Sequence, residues 1–130
     1  MILLRKAEIV ALHERLVMEF GGSLGIRDEG ALESALMAAD NRLWYENADV
    51  IACAATYAYH LTMAHAFIDG NKRVGAAAMR ACLLANELDL AASEDDLCDL
   101  FMTIASGEMG RDEVEAWLRA RVSDPPSRLS

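Results

Sequence analysis

The sequence predicts an all-α protein, a single compact bundle of about six helices. Apolar residues recur at the three- and four-residue spacing of a helix face along nearly the whole chain, and no run alternates as a half-buried strand does. The two prolines, Pro125 and Pro126, both lie at the very end, where they interrupt nothing. With 130 residues, 54% apolar and 25% charged, the chain suits one domain with a packed core.

Each element follows from local signals. The first helix is expected over about residues 5–19, with Ile9, Leu12, Leu16 and Phe20 as its apolar stripe, and Gly21-Gly22-Ser23 stops it. Asp28 can cap a second helix, to about Ala39, with Leu32, Ala35, Leu36 and Ala39 facing inward. Residues 40–48 read as a polar connection carrying Trp44 and Tyr45. Asp49 caps a long apolar helix to about His65, and a second apolar helix runs from about Gly70 to Glu87. The small residues Gly75, Ala76, Ala77, Ala78 and Ala81 let neighbours approach that helix closely. It is therefore placed at the centre, with Gly75, Ala77, Ala78 and Ala81 buried. Ser93, with Asp96 three residues on, opens a fifth helix, and a sixth covers about 112–122. The domain is thus residues 1–122, and the polar residues 123–130 are expected to form a disordered tail.

Lys and Arg number 12 against 21 Asp and Glu, a formal charge of −9. That balance excludes the basic stripe that direct nucleic-acid binding needs, and it disfavours anionic membranes. No window of about 18 apolar residues is free of charge. The start, Met1 to Lys6, lacks a basic segment before an apolar one, so a cytoplasmic location is expected. Cys53, Cys82 and Cys98 show no paired spacing and read as small buried apolar residues in a reducing compartment. The seven methionines read as core filler, and His13 and His60 as structural. Arg27-Asp28-Glu29 reads as a helix start with local charge pairs.

The chemistry concentrates in His65-Ala66-Phe67-Ile68-Asp69-Gly70-Asn71-Lys72-Arg73, between the two apolar helices. Asp-Gly-Asn is an ordinary turn and cap. Lys72 and Arg73 are not ordinary there, because a helix start disfavours each cation by roughly 0.3–1 kcal/mol. Two cations beside free backbone N–H groups make sense if an anion binds at that turn, and Gly70 lets backbone approach it. His65 is a candidate general base, since imidazole titrates near neutrality. Asp69 can hold Mg²⁺ against phosphate oxygens.

Written His-x-Phe-x-Asp-Gly-Asn-Lys-Arg, with seven specified positions in nine, this segment resembles the signature of the Fic/Doc superfamily. Within it, the chain is similar to the death-on-curing (Doc) toxins of bacterial toxin–antitoxin modules. The stretch from Gly21 to Leu36 is also similar to the family's N-terminal segment, and the likeness extends over residues 1 to about 121. Two departures separate it from AMP-transferring Fic proteins. Lys72 stands where those carry Gly, and Ala76 where they carry a second Arg. Both resemble Doc, which implies γ-phosphoryl transfer from ATP to a threonine of elongation factor Tu, halting translation.

By that resemblance His65 is the base, Asp69 the Mg²⁺ ligand, Gly70, Asn71 and Lys72 the anion hole, and Arg73 a holder of phosphate charge. Phe67 is the structural anchor. Trp44 and Tyr45 are either partial core or part of a flap over the target. AMP transfer on the same site is the first alternative, and a non-catalytic module acting in an antitoxin complex the second. Some Fic proteins carry an internal inhibitory motif, [Ser/Thr]-x-x-x-Glu-[Gly/Asn]. Here Glu29-Gly30 and Glu46-Asn47 are preceded by Gly25 and Arg42, so the motif is absent. Restraint is expected from a separate antitoxin, Phd-like or similar, whose disordered acidic-apolar segment folds into a groove between helices.

Overall fold

A computed structural model describes residues 1–123. Six helices and one two-stranded ribbon follow in order: α1 Lys6–Phe20, α2 Glu29–Glu46, α3 Val50–Met63, α4 Asn71–Ala85, β1 Asp89–Leu90, α5 Glu94–Ala105, α6 Arg111–Arg119 and β2 Val122–Ser123. The expected caps form. Asp28 accepts from the Ala31 N–H at 3.0 Å and Asp49 from Ala52 at 2.9 Å. Ser93 and Asp96 cap each other reciprocally, at 3.0 and 3.2 Å.

Three expectations change. Residues 40–46 are not a connection but the last turns of α2, which ends at Asn47 in the left-handed conformation, φ 51°. The inward residue there is Arg42, whose guanidinium donates to the Ala52 carbonyl, the Thr56 hydroxyl and Glu115. A polar side chain thus occupies an inward position, which a reading of apolar spacing misses. Trp44 and Tyr45 consequently project from a helix, 79% and 85% exposed, and are no part of the core. In α1 the buried stripe is Ile9, His13 and Val17, while Leu12 and Leu16 are half-buried and Phe20 is exposed. Finally, β1 and β2 pair antiparallel, Asp89 with Ser123 and Leu90 with Val122. Strands of two residues are too short to show alternation. Ser123, assigned to the tail, belongs to this ribbon; residues 124–130 lie outside the described residues.

The core is built around α3 and α4. Every residue of α3 from Ala52 to Ala58 is buried, and this helix packs on α2, α4, α5 and α6. On α4, Gly75 and Ala78 are buried as expected, whereas Ala77 and Ala81 are half-buried. A Cβ on Gly75 would collide with the Thr62 hydroxyl and stand 3.2 Å from the Ala58 carbonyl and 3.3 Å from the Phe101 ring. The two helices are therefore in contact through backbone. Cys53 and Cys82 are buried, and burial pushes the Cys82 thiol up to about 12. Cys98, on α5, is exposed instead. Met79 alone among the methionines is fully buried; Met1, Met18, Met37 and Met102 are exposed. Among the described residues, no helix is long and apolar enough to cross a membrane.

Two stability outcomes follow. Alanine is the better helix former by about 1 kcal/mol, yet Gly75→Ala is expected to destabilise by about 1–3 kcal/mol. Thr62 is stiff at χ1 and the Ala58 carbonyl is backbone, so neither yields cheaply. A thermal melt showing stabilisation would refute the close contact. At the start of α3, Arg119 grips Asp49 through two hydrogen bonds of 2.9 Å. The guanidinium, through these bonds, holds the Asp49 carboxyl below its ordinary value. Its contribution is therefore complete above the unfolded value, about pH 4, and lost as pH falls through the lower folded value. Asp49→Ala is expected to cost about 1–2 kcal/mol at pH 7, cap and ion pair together, with the difference from the parent shrinking in acid.

Candidate active site

The segment between α3 and α4 is short, and several of its backbone groups are held from outside it. Ala66 turns its carbonyl to the Arg27 and Asp28 N–H groups, at 2.7 and 3.0 Å. The Ile68 N–H donates to the Gly25 carbonyl at 3.1 Å, and Phe67 forms an isolated antiparallel bridge with Ile26. Asn71 reaches back across the turn: its Oδ1 accepts from the Phe67 N–H at 3.1 Å, and its Nδ2 donates to the Phe67 carbonyl at 3.0 Å. Phe67 is buried, the expected anchor, and its ring stacks on His13 with centroids 3.9 Å apart.

His65 leaves α3 in the left-handed region, φ 51°, which a residue with a Cβ adopts at a cost of roughly 1–2 kcal/mol. Burial of Ala66 and Phe67 immediately after it fixes that turn, while the imidazole itself is exposed. Gly70, φ 76°, redirects the chain into α4. The Val74 N–H is the first to find an acceptor within the helix, the Gly70 carbonyl at 3.0 Å. The Asn71, Lys72 and Arg73 N–H groups precede it without one.

These groups open on a cavity of about 560 Å³ lined by Gly21, Gly22, His65, Asp69 and Gly70 to Arg73, among others. All six residues assigned from the sequence, His65, Asp69, Gly70, Asn71, Lys72 and Arg73, are thereby brought together. One differs in detail from the expectation. The Gly70 N–H is taken by Asp69 Oδ1 at 2.9 Å, so the open N–H set is 71–73 rather than 70–72. The Asn71 side chain is spent on Phe67, leaving its backbone to face an anion.

Electrostatics favour an anion here. Arg5, Lys6, Arg42, Arg80, Arg111 and Arg119 each pair with an acid. Among the described residues Arg15, Arg27, Lys72, Arg73 and Arg121 pair with none, and of these Lys72 and Arg73 line the cavity. Arg73 instead lies 5.2 Å over the Phe20 ring and donates to the Gly21 carbonyl at 3.5 Å. Asp69 Oδ2 accepts from the Ser23 N–H at 3.3 Å. Among the described residues no three His, Cys, Asp or Glu side chains gather as a metal cage. A lone carboxylate beside a helix start that favours an anion is nonetheless a donor set that fits Mg²⁺, which keeps waters and takes few protein ligands.

The Gly-Gly turn is a part of the site that sequence reasoning took only as a helix stop. A Cβ on Gly22, φ 110°, would stand 2.7 Å from Asp69 Oδ2. His13 is another, bonded through Nε2 to the Asp69 carbonyl at 2.7 Å. His60 does not line this cavity; it is half-buried, and burial, then Arg111 and Arg42, depress its protonation. Beside the site runs a groove of about 540 Å³ between α1, α4 and α5, floored by Leu16, Phe20, Ala77, Leu97, Phe101 and Met102. Lys72, Arg73 and Arg80 line it as well.

The model of the Fic/DOC family matches residues 3–83, from the residues just before α1 to the last turn of α4. The chain is also 31% identical over 113 residues to the protein kinase doc of Escherichia phage P1, covering 86% of this chain and 89% of that protein. The matched span holds the whole clamped loop and the helix start that it presents, and on these grounds the chain belongs to the Fic/DOC family.

Proposed function

We propose that this chain is a Doc-type toxin that transfers the γ-phosphate of ATP to a Ser/Thr hydroxyl of a protein, with elongation factor Tu as target and translation arrest as outcome. The observation that carries the reading is the start of α4, where three open N–H groups meet two cations that pair with no acid among the described residues. The kinase name of the phage relative supports phosphoryl over AMP transfer. The cytoplasm is the proposed location.

The Asn71, Lys72 and Arg73 N–H groups and the two cationic side chains hold the ATP phosphates. His65 takes the proton from the acceptor hydroxyl as its oxygen attacks the γ-phosphorus. The bond from that phosphorus to the β–γ bridging oxygen breaks, and ADP leaves. Asp69 is the residue placed to hold Mg²⁺, which when bound neutralises charge on the phosphate oxygens. Asn71 keeps the loop in register by its grip on Phe67. Such transfer rests on positioning and electrostatics, so a site this small suffices. The partner is a separate antitoxin, whose acidic-apolar segment fits the groove beside the site: apolar on its floor, with Lys72, Arg73 and Arg80 along it.

Incubation with elongation factor Tu and ATP labelled at either phosphate tests the chemistry. Label should transfer from the γ position; transfer from the α position would establish AMP transfer instead. His65→Ala should slow transfer by about 10²–10⁴-fold, and Asp69→Ala should raise the Mg²⁺ requirement. Expression alone should arrest growth and co-expression with the neighbouring gene should relieve it. Arrest that survives His65→Ala would point to a non-catalytic binding module.

A further inference from the structure

His13 is a costly choice for its position. It lies in the buried stripe of α1 between Ile9 and Val17, 2% exposed, where an apolar ring would pack as well and need no partner. Its ring lies nearly parallel to Phe67, 13° between planes, and Nε2 reaches the Asp69 carbonyl at 2.7 Å. A carbonyl oxygen only accepts, so the proton sits on Nε2.

The peptide that His13 grips joins Asp69 to Gly70. In a trans peptide the carbonyl and the N–H point in opposite directions. Here the N–H turns to the Asp69 carboxylate at 2.9 Å, on the cavity side, and the carbonyl turns to His13 in the core. Rotating this one unit reverses both. The carbonyl oxygen then faces the cavity, beside the Asp69 carboxylate and the open N–H groups of α4. Gly70 accepts φ of either sign, so the following residue does not forbid the rotation. Neither α4 nor the 25–28 segment donates to the Asp69 carbonyl, which leaves His13 as its donor among the described residues.

We propose that His13 is a positioning residue that latches the Asp69–Gly70 peptide with its carbonyl turned away from the anion site, keeping an electronegative oxygen out of the place where phosphate binds. The inference rests on the phosphate-binding reading above. Loss of the latch lowers affinity for a polyanion without removing any group that touches it.

His13→Phe keeps the ring stacked on Phe67 and deletes the donor; His13→Gln restores a donor of similar reach. Titration with ATP should show a dissociation constant about tenfold higher in His13→Phe, the scale of one hydrogen bond's preference, and near the parent value in His13→Gln. Melting curves should remain cooperative for both. A folded His13→Phe protein that binds ATP like the parent overturns the proposal, as does a folded His13→Gln protein that binds no better than His13→Phe. Nitrogen-15 spectra of the parent should show a protected Nε2–H on His13; an Nδ1–H tautomer there overturns the latch without any ligand or variant. A parent that shows the protected Nε2–H but binds no ATP defeats the phosphate reading and leaves the latch standing as geometry.

Discussion

Backbone contact between α3 and α4 at Gly75 is the constraint on which the rest of the molecule depends. With no Cβ between them, the two helices lie close enough for a short loop to join their ends. The end of α3 delivers His65, and the start of α4 delivers the open N–H groups. The first is the negative pole of a helix and the second the positive pole, so the proposed base and the proposed anion site lie side by side on opposite backbone polarity. The connecting loop cannot support itself at that length. Residues 25–28, Asn71 and His13 hold it from three directions, so α1 and the segment after it belong to the site although they lie far away in sequence.

Several local features that oppose folding gather in this corner, although Asn47 and Glu87 also take left-handed backbone elsewhere. His65 sits in the left-handed region. Lys72 and Arg73 oppose the dipole of the helix they begin, at roughly 0.3–1 kcal/mol each. The hydrogen-bonded loop and the packed helices behind it offset these costs. Elsewhere the chain follows local preference closely: acids cap the helix starts, and most cations pair with acids. The cations set against the helix dipole and the left-handed His65 thus fall together where the proposed site lies.

Much of this was legible beforehand because its causes are local. Asp28, Asp49 and Ser93 act within three residues of themselves, so their caps can be read from the letters alone. The site residues are contiguous, so their meeting was assured once a turn was placed among them. What escaped is what depends on distant partners. Arg42 faces inward because Thr56 and Glu115 receive it, and without that knowledge residues 40–46 look like a polar connection. His13 has its partner 56 residues away and Gly22 its neighbour at Asp69, and neither shows in a pattern of apolar spacing. The grip of the Asn71 side chain on Phe67 was also not legible, because helix-start residues look alike until the preceding loop is folded back on them.

The isolation of Lys72 and Arg73 within a chain of net charge −9 bears on how ligands arrive. A polyanion approaching from afar meets net repulsion, and at this cavity attraction comes within reach of those two side chains. The screening length is about 8 Å at physiological ionic strength, so added salt weakens the distant repulsion before it weakens the contact pair. Encounter rates are then expected to hold steady or rise with ionic strength, opposite to the decline seen when a basic protein steers an anion towards itself. On the proposed function, capture depends on a short-range trap set in an unfavourable field, so that dwell time rather than arrival rate is the quantity this surface governs.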